Sequence, residues 1–232
     1  MIVTSLLIMS KTIWIIANWK SNKTIAEALD WVSKVGPNLP KRDDLRVVVC
    51  PTFSGLSEVK KAVQVGNFPI MVGSQDLSSF GTGAYTGEES AGLIKELVSL
   101  SIIGHSERRQ NFSETDQMVS QKVAQALDNG ITPLVCVQGS DTPVPDGCKL
   151  VAYEPIFAIG TGNPDTPENA ESVAKTLKEK YGPETEVLYG GSVTSANITS
   201  FVNQLDVVGT LIGNASLDAL EFLKIVQKCK GM

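Results

Sequence analysis

Ser101-Ile102-Ile103-Gly104-His105-Ser106-Glu107-Arg108-Arg109 passes from a short apolar run, through a glycine, straight into a cluster of charge. Its histidine is the only one in the chain. The one side chain that titrates near neutrality without help therefore sits in this turn. On either side the same order of residues recurs. Apolar runs lie at Ile13–Ala17, Val47–Cys50, Ile70–Gly73, Ser101–Ile103, Pro133–Val137, Leu150–Tyr153, Val187–Tyr189 and Val207–Ile212. Most are β-branched and apolar at consecutive positions, as strands buried on both faces are.

Helix signals separate these runs. Thr24-Ile25-Ala26-Glu27 reads as a capping box leading into Ala28–Val32. Ser113 precedes a helix over Asp116–Leu127, which Asn129-Gly130 stops. Thr166-Pro167-Glu168 gives an N-cap and a first-turn proline before Ala170–Tyr181, and Ser216 opens a last helix, Leu217–Lys228. Strand–helix alternation implies an α/β fold with parallel strands and right-handed crossovers. An open doubly wound sheet and a closed barrel both fit it.

Two features favour closure. The runs number eight, the characteristic count of such a barrel. Polar and glycine-rich residues also follow nearly every run: Asn18/Lys20, Pro51-Thr52, Gln75-Asp76, His105/Glu107, Gln138-Gly139, Glu154, Gly190-Gly191-Ser192 and Gly213-Asn214. A barrel would set these in a ring at its C-terminal end, whereas an open sheet would gather them at one switch point. The stretch from Gln138 to Cys148 holds two prolines and two glycines without helical spacing. An extended connection is predicted in place of the fifth helix, with Pro143, Val144 and Pro145 partly covering the flank.

Composition narrows the function classes. The net charge is −5, and no basic run suggests a nucleic-acid surface. The four cysteines, Cys50, Cys136, Cys148 and Cys229, are scattered and suit reduced thiols in a cytoplasmic protein. The apolar residues of Met1–Met9 hint at an export signal but lack a basic start and a cleavage site. They are too short to span a bilayer, and an N-terminal extension over residues 1–10 is the preferred reading. No composition shift divides the chain, so residues 1–232 read as one domain.

A lone histidine is more often a satisfied core or surface residue than a functional one. Asn18-Trp19-Lys20 and Ala152-Tyr153-Glu154-Pro155 change that reading. Together the segments place a cation, an imidazole and a carboxylate each at the end of an apolar run. A base, a proton donor and a cation are what proton transfer beside a carbonyl requires.

Six motifs, in order, resemble those of the triosephosphate isomerase family: Asn18-Trp19-Lys20, Ala84-Tyr85-Thr86-Gly87-Glu88, Gly104–Arg109, Ala152-Tyr153-Glu154-Pro155, Ile159-Gly160-Thr161-Gly162 and Tyr189-Gly190-Gly191-Ser192. The likeness covers essentially the whole chain and implies a single (β/α)8 TIM barrel. It implies an isomerase of glycolysis and gluconeogenesis that interconverts dihydroxyacetone phosphate and D-glyceraldehyde 3-phosphate. Glu154 would be the base, its proton affinity raised by desolvation. His105 would be the neutral imidazole electrophile for which that family is known. Lys20 would be the fixed cation and Asn18 an added amide donor.

The resemblance also implies phosphate ligands at Gly160, Ser192, Gly213 and Asn214. Asn214 stands where the family has a second glycine; should the position need an unusual backbone angle, asparagine tolerates it. Glu107 either pins Lys20 or pairs with Arg108 or Arg109. Pro155–Asp165 resembles the family's closing lid, with Phe157 in place of a tryptophan, Gly139 in place of its glutamate partner, and an atypical Asn163-Pro164-Asp165 hinge. Losing both partners of a hydrogen bond is tolerated better than losing one.

The Phe80–Glu88 loop would carry Thr86 into a neighbouring subunit of a homodimer, or else be a mobile loop on a monomer. No metal or organic cofactor is implied, and neither a nucleic acid nor a membrane is an expected partner. The other readings are a different sugar-phosphate isomerase on the same barrel and a phosphometabolite-binding protein without catalysis.

Overall fold

Every apolar run becomes a strand, within two residues of its expected bounds, in the computed structural model, which describes residues 11–229. The extension assigned to residues 1–10 lies outside the described residues. The strands are β1 (Ile13–Asn18), β2 (Leu45–Cys50), β3 (Met71–Ser74), β4 (Leu100–Ile103), β5 (Thr132–Val137), β6 (Leu150–Tyr153), β7 (Glu186–Tyr189) and β8 (Val207–Ile212). Each pairs in parallel with its neighbours in sequence, and β8 returns to β1, closing the ring. Of the two topologies open to the sequence, the fold is the closed (β/α)8 barrel.

Residues alternate along each strand between two cores. Ile16, Val48, Leu100, Ile102, Leu134, Leu150, Leu188 and Leu211 fill the inside of the ring. Ile15, Val47, Val49, Ile103, Val135, Val151 and Val187 face the helices outside. Closure is tightest where Trp14 opposes Gly209. A Cβ on Gly209 would lie 2.1 Å from the Trp14 carbonyl oxygen, so only glycine lets the strands meet there.

Around the ring lie α1 (Ile25–Val35), α2 (Leu56–Val65), α3 (Ala91–Ile94), α4 (Ser106–Asn111), α5 (Asp116–Asp128), α6 (Pro167–Tyr181), α7 (Ile198–Val202) and α8 (Ala219–Lys228). The capping box of α1 forms as read, with Thr24 and Glu27 each accepting the other's backbone N–H. Such a cap is worth about 1 kcal/mol. Thr166 caps α6 and Pro167 occupies its first turn.

The α5 helix starts at Asp116 as read, with Thr115 as its cap, whereas the start of α8 differs. Asp218 caps α8, which begins at Ala219 and not at Leu217. Ser216 cannot open that helix because its hydroxyl donates to the Gly213 carbonyl, 2.6 Å away, inside a tight 3-10 turn.

No helix joins β5 to β6. Val144 is the buried residue of the expected Pro143–Pro145 cover, and its N–H donates to the Tyr181 hydroxyl at 3.1 Å.

A buried ionic cluster braces the turn after β4. Lys122, 3 % exposed, lies 2.7 Å from Asp76 and 2.8 Å from Glu114. Arg108 reaches both carboxylates, and Glu114 also accepts the Gly104 N–H at 3.0 Å. Burial pushes the Glu114 carboxyl up, but Lys122 and Arg108 hold it below its ordinary value. Burial keeps Asp76 above the ordinary carboxylate value despite Lys122.

Replacing Lys122 with methionine leaves Arg108 alone to balance two buried carboxylates and is expected to cost about 3 kcal/mol at neutral pH. Losing Lys122 raises the folded-state pKa of both carboxyls, so the variant's native state holds protons to a higher pH than the wild type's. The deficit therefore shrinks as the solution is acidified towards the ordinary carboxylate range. Urea midpoints of both proteins at neutral and mildly acid pH test this, and a deficit indifferent to pH contradicts it.

Candidate active site

Parallel closure aims all eight strand ends the same way, and the residues just beyond them meet over the barrel mouth. A cleft of about 270 Å³ lies there. Asn18, Lys20, His105, Glu154, Gly160, Ser192, Gly213 and Asn214, all expected from the sequence, line it together. Its volume is small for a ligand pocket and suits a compact molecule.

Asn18 ends β1, and its Oδ1 accepts the Lys20 N–H at 3.0 Å. That bond leaves the Asn18 amide nitrogen for a ligand. Lys20 has φ of +52°, a left-handed conformation costly for a residue with a Cβ. Gln75 holds it there, donating from Nε2 to the carbonyls of Lys20 at 2.8 Å and Cys50 at 3.0 Å. The Lys20 ammonium pairs with Glu107. Arg108 and Arg109 find other acids, Asp76 with Glu114 and Asp116 respectively. Of the two pairings open to Glu107, the structure thus has the one with Lys20. A Cβ at Gly213 would stand 3.3 Å from Lys20 Cε, so that glycine keeps the lysine's path clear.

His105 caps the short helix α4 through Nδ1, which accepts the Glu107 N–H at 3.2 Å. An acceptor at Nδ1 places the proton of the neutral ring on Nε2. Nε2 lies 2.9 Å from Glu154 Oε1, while Glu154 Oε2 accepts the Ser106 N–H at 3.0 Å. Burial disfavours the imidazolium, and Glu154 together with Glu107 more than offsets this, raising the His105 pKa while the pair is intact.

Glu154 is 1 % exposed, and the sequence reading had desolvation raising its pKa. Burial does push it up, but His105, the Ser106 N–H and Lys20 together hold it below the ordinary 4.5. Desolvation is outweighed because the carboxylate is paired in this conformation.

The two glycines after Tyr189 are small for separate reasons. A Cβ on Gly190 would lie 2.9 Å from Glu154 Cγ, and one on Gly191 would lie 2.0 Å from the Tyr189 hydroxyl. One glycine admits the carboxylate side chain and the next admits a phenol. The Ser192 hydroxyl donates to the Ala158 carbonyl at 2.6 Å and accepts the Gly162 N–H at 3.2 Å. It therefore clasps the lid tip, leaving its own backbone N–H for an anion. Gly160 has φ of +68°, which favours glycine. Asn214 is absent from the left-handed residues, so it needs no special tolerance there.

Thr86 lies in an exposed loop and does not join the cleft of its own chain. Phe157 is 63 % exposed on the lid, and the space beside Gly139 is open. The sequence reading gave no role to Gln75. Gln75 stands among the polar residues after β3, the one signal pointing to it. Among the described residues no helix is long and apolar enough to cross a membrane.

A family profile described as Triosephosphate isomerase matches residues 13–147 and 145–229. A curated protein of that name from Alkaliphilus oremlandii is 39% identical over 245 residues, covering 91% of this chain and 97% of its own. Its namesake from Thermoanaerobacter sp. (strain X514) is 40% identical over 244 residues with the same coverage. The one from Mesomycoplasma hyopneumoniae (strain 7448) is 38% identical over 238 residues, again with that coverage. With the match running through both halves of the barrel, the chain belongs to the triosephosphate isomerase family.

Proposed function

We propose that the protein interconverts dihydroxyacetone phosphate and D-glyceraldehyde 3-phosphate in the cytoplasm, as a step of glycolysis and gluconeogenesis, with Glu154 as base, His105 as electrophile and Lys20 as cation. The observation that carries this assignment is the 2.9 Å approach of His105 Nε2 to Glu154 in a cleft that Lys20 also lines. Glu154 takes a proton from the carbon beside the carbonyl, and the C–H electrons pass into an enediolate. His105 Nε2–H and the Lys20 ammonium meet the oxygens on which negative charge gathers. A donor so placed supplies about 3 kcal/mol of transition-state stabilisation. The proton then returns to the neighbouring carbon, giving the other triose.

The paired state of Glu154 fits this cycle. On turning to the substrate carbon it gives up His105 and the Ser106 N–H while remaining buried, so its proton affinity rises as it meets the proton. The same departure removes the larger of the two carboxylate influences that raise the His105 pKa, and burial and Lys20 then act against Glu107 to favour the neutral imidazole. The backbone N–H groups of Gly160, Ser192, Gly213 and Asn214 would hold the phosphate. Asn18 would add its amide nitrogen.

The homodimer belongs to the same reading. The loop from Phe80 to Glu88 is exposed throughout, and the Phe80 and Tyr85 rings stack 4.3 Å apart on the surface. Such an aromatic pair suits burial in a second copy, with Thr86 reaching the partner's cleft.

Two measurements test the assignment. Glu154→Asp withdraws the carboxylate by one methylene and should lower kcat with glyceraldehyde phosphate about 100-fold, with KM little changed. A variant that turns over at the wild-type rate would remove Glu154 from its role. Sedimentation equilibrium should give a dimer, and Tyr85→Asp should shift it towards monomer; a monomeric wild type would end the dimer proposal.

A further inference from the structure

The unusual hinge at the end of the lid contains the acid Asp165, 9 % exposed. Its Oδ2 accepts the Tyr153 hydroxyl at 3.0 Å and the Asn169 amide at 2.6 Å, and its Oδ1 accepts the Thr166 N–H at 2.8 Å. Its own N–H donates to the Tyr189 hydroxyl at 2.7 Å. One residue thus binds both buried phenols, Tyr189 through backbone and Tyr153 through side chain. Burial pushes both phenol pKa values up, so Tyr153 remains a donor.

Tyr153 ends β6 and directly precedes Glu154. The lid spans the interval from Pro155 to Asp165, so the two ends of that segment are fastened to each other by the tyrosine–aspartate bond. We propose that Asp165 is a positioning residue: its carboxylate ties the lid's C-terminal hinge to Tyr153, so that anchorage of the lid and orientation of Glu154 are a single mechanical unit. Tyr189 supplies the fixed point, since its ring is stacked on Phe201 at 3.9 Å and its hydroxyl is threaded past Gly191.

The inference rests on the isomerase reading and makes a separate demand on it. A lid that closes poorly lets the enediolate expel phosphate: the C–O bond to the phosphate breaks, phosphate leaves with the electron pair, and the resulting enol tautomerises to methylglyoxal. Asp165→Ala, Tyr153→Phe, the double variant and Asp165→Asn are assayed beside wild type for kcat, KM and the fraction of turnover released as inorganic phosphate. Asp165→Ala and Tyr153→Phe should each lower kcat about tenfold with a smaller change in KM and raise the phosphate fraction severalfold.

The double variant should be no worse than either single one, because the same bond is lost. Asp165→Asn, which keeps an acceptor for Tyr153, should recover most of kcat. Wild-type kcat and phosphate fraction in Asp165→Ala would overturn the proposal. So would additive losses, or a lowered melting temperature with both kinetic readouts unmoved. Absence of turnover in wild type would instead strike the isomerase assignment, which these ratios do not test.

Discussion

The backbone bonds between β8 and β1 pair Trp14 with Gly209 and Ala17 with Ile212, and they turn a ribbon of parallel strands into a ring. Without them Lys20, two residues past the end of β1, and Gly213, one past β8, would be at opposite edges of a sheet. With them, Lys20 Cε lies within van der Waals reach of where a Gly213 Cβ would be. The missing side chain at Gly209 admits the carbonyl of Trp14 and so permits the closure. Every ligand-facing residue of the cleft inherits its place from that geometry.

Enclosing charge at the mouth of an apolar barrel demands compensation, and the protein supplies it in layers. Glu154 is met by an imidazole, a backbone N–H and, at longer range, an ammonium. Lys20 is met by Glu107, and its strained backbone by Gln75. Beneath the β4 turn, Lys122 and Arg108 balance Asp76 and Glu114, and Glu114 fixes the N–H of Gly104, next to His105. A buried pair offsets its desolvation only when its remaining lone pairs and protons are also satisfied. Here the second acceptor oxygen of Glu154 has the Ser106 N–H.

The strands were legible because burial on both faces leaves an unbroken apolar run, and the site was legible because polar residues follow such runs directly. The caps Thr24 and Thr166 could be read because each stands just before a periodic stretch. Ser216 misled because a serine that caps a helix and one that bonds inside a tight turn look alike in sequence. Helices of six residues or fewer, such as α3, α4 and α7, are too short to show a period. Gln75 could not be assigned a role because both its partners are backbone carbonyls brought near by folding. Burial of Glu154 follows from its setting in the sequence, but the partners that reverse its effect on the carboxyl do not.

Between β5 and β6 the outer layer is thinned to a strip of chain in which Val144 and Cys148 are buried. Local openings of a native protein begin where few apolar contacts must be broken. The strip is fastened at its middle to Tyr181, the last residue of α6, and that helix starts directly after the Asp165 hinge. The strip and the far anchor of the lid are therefore joined along one helix. With no helix between β5 and β6, the outer layer that backs this helix holds fewer apolar contacts to break than a sector covered in full.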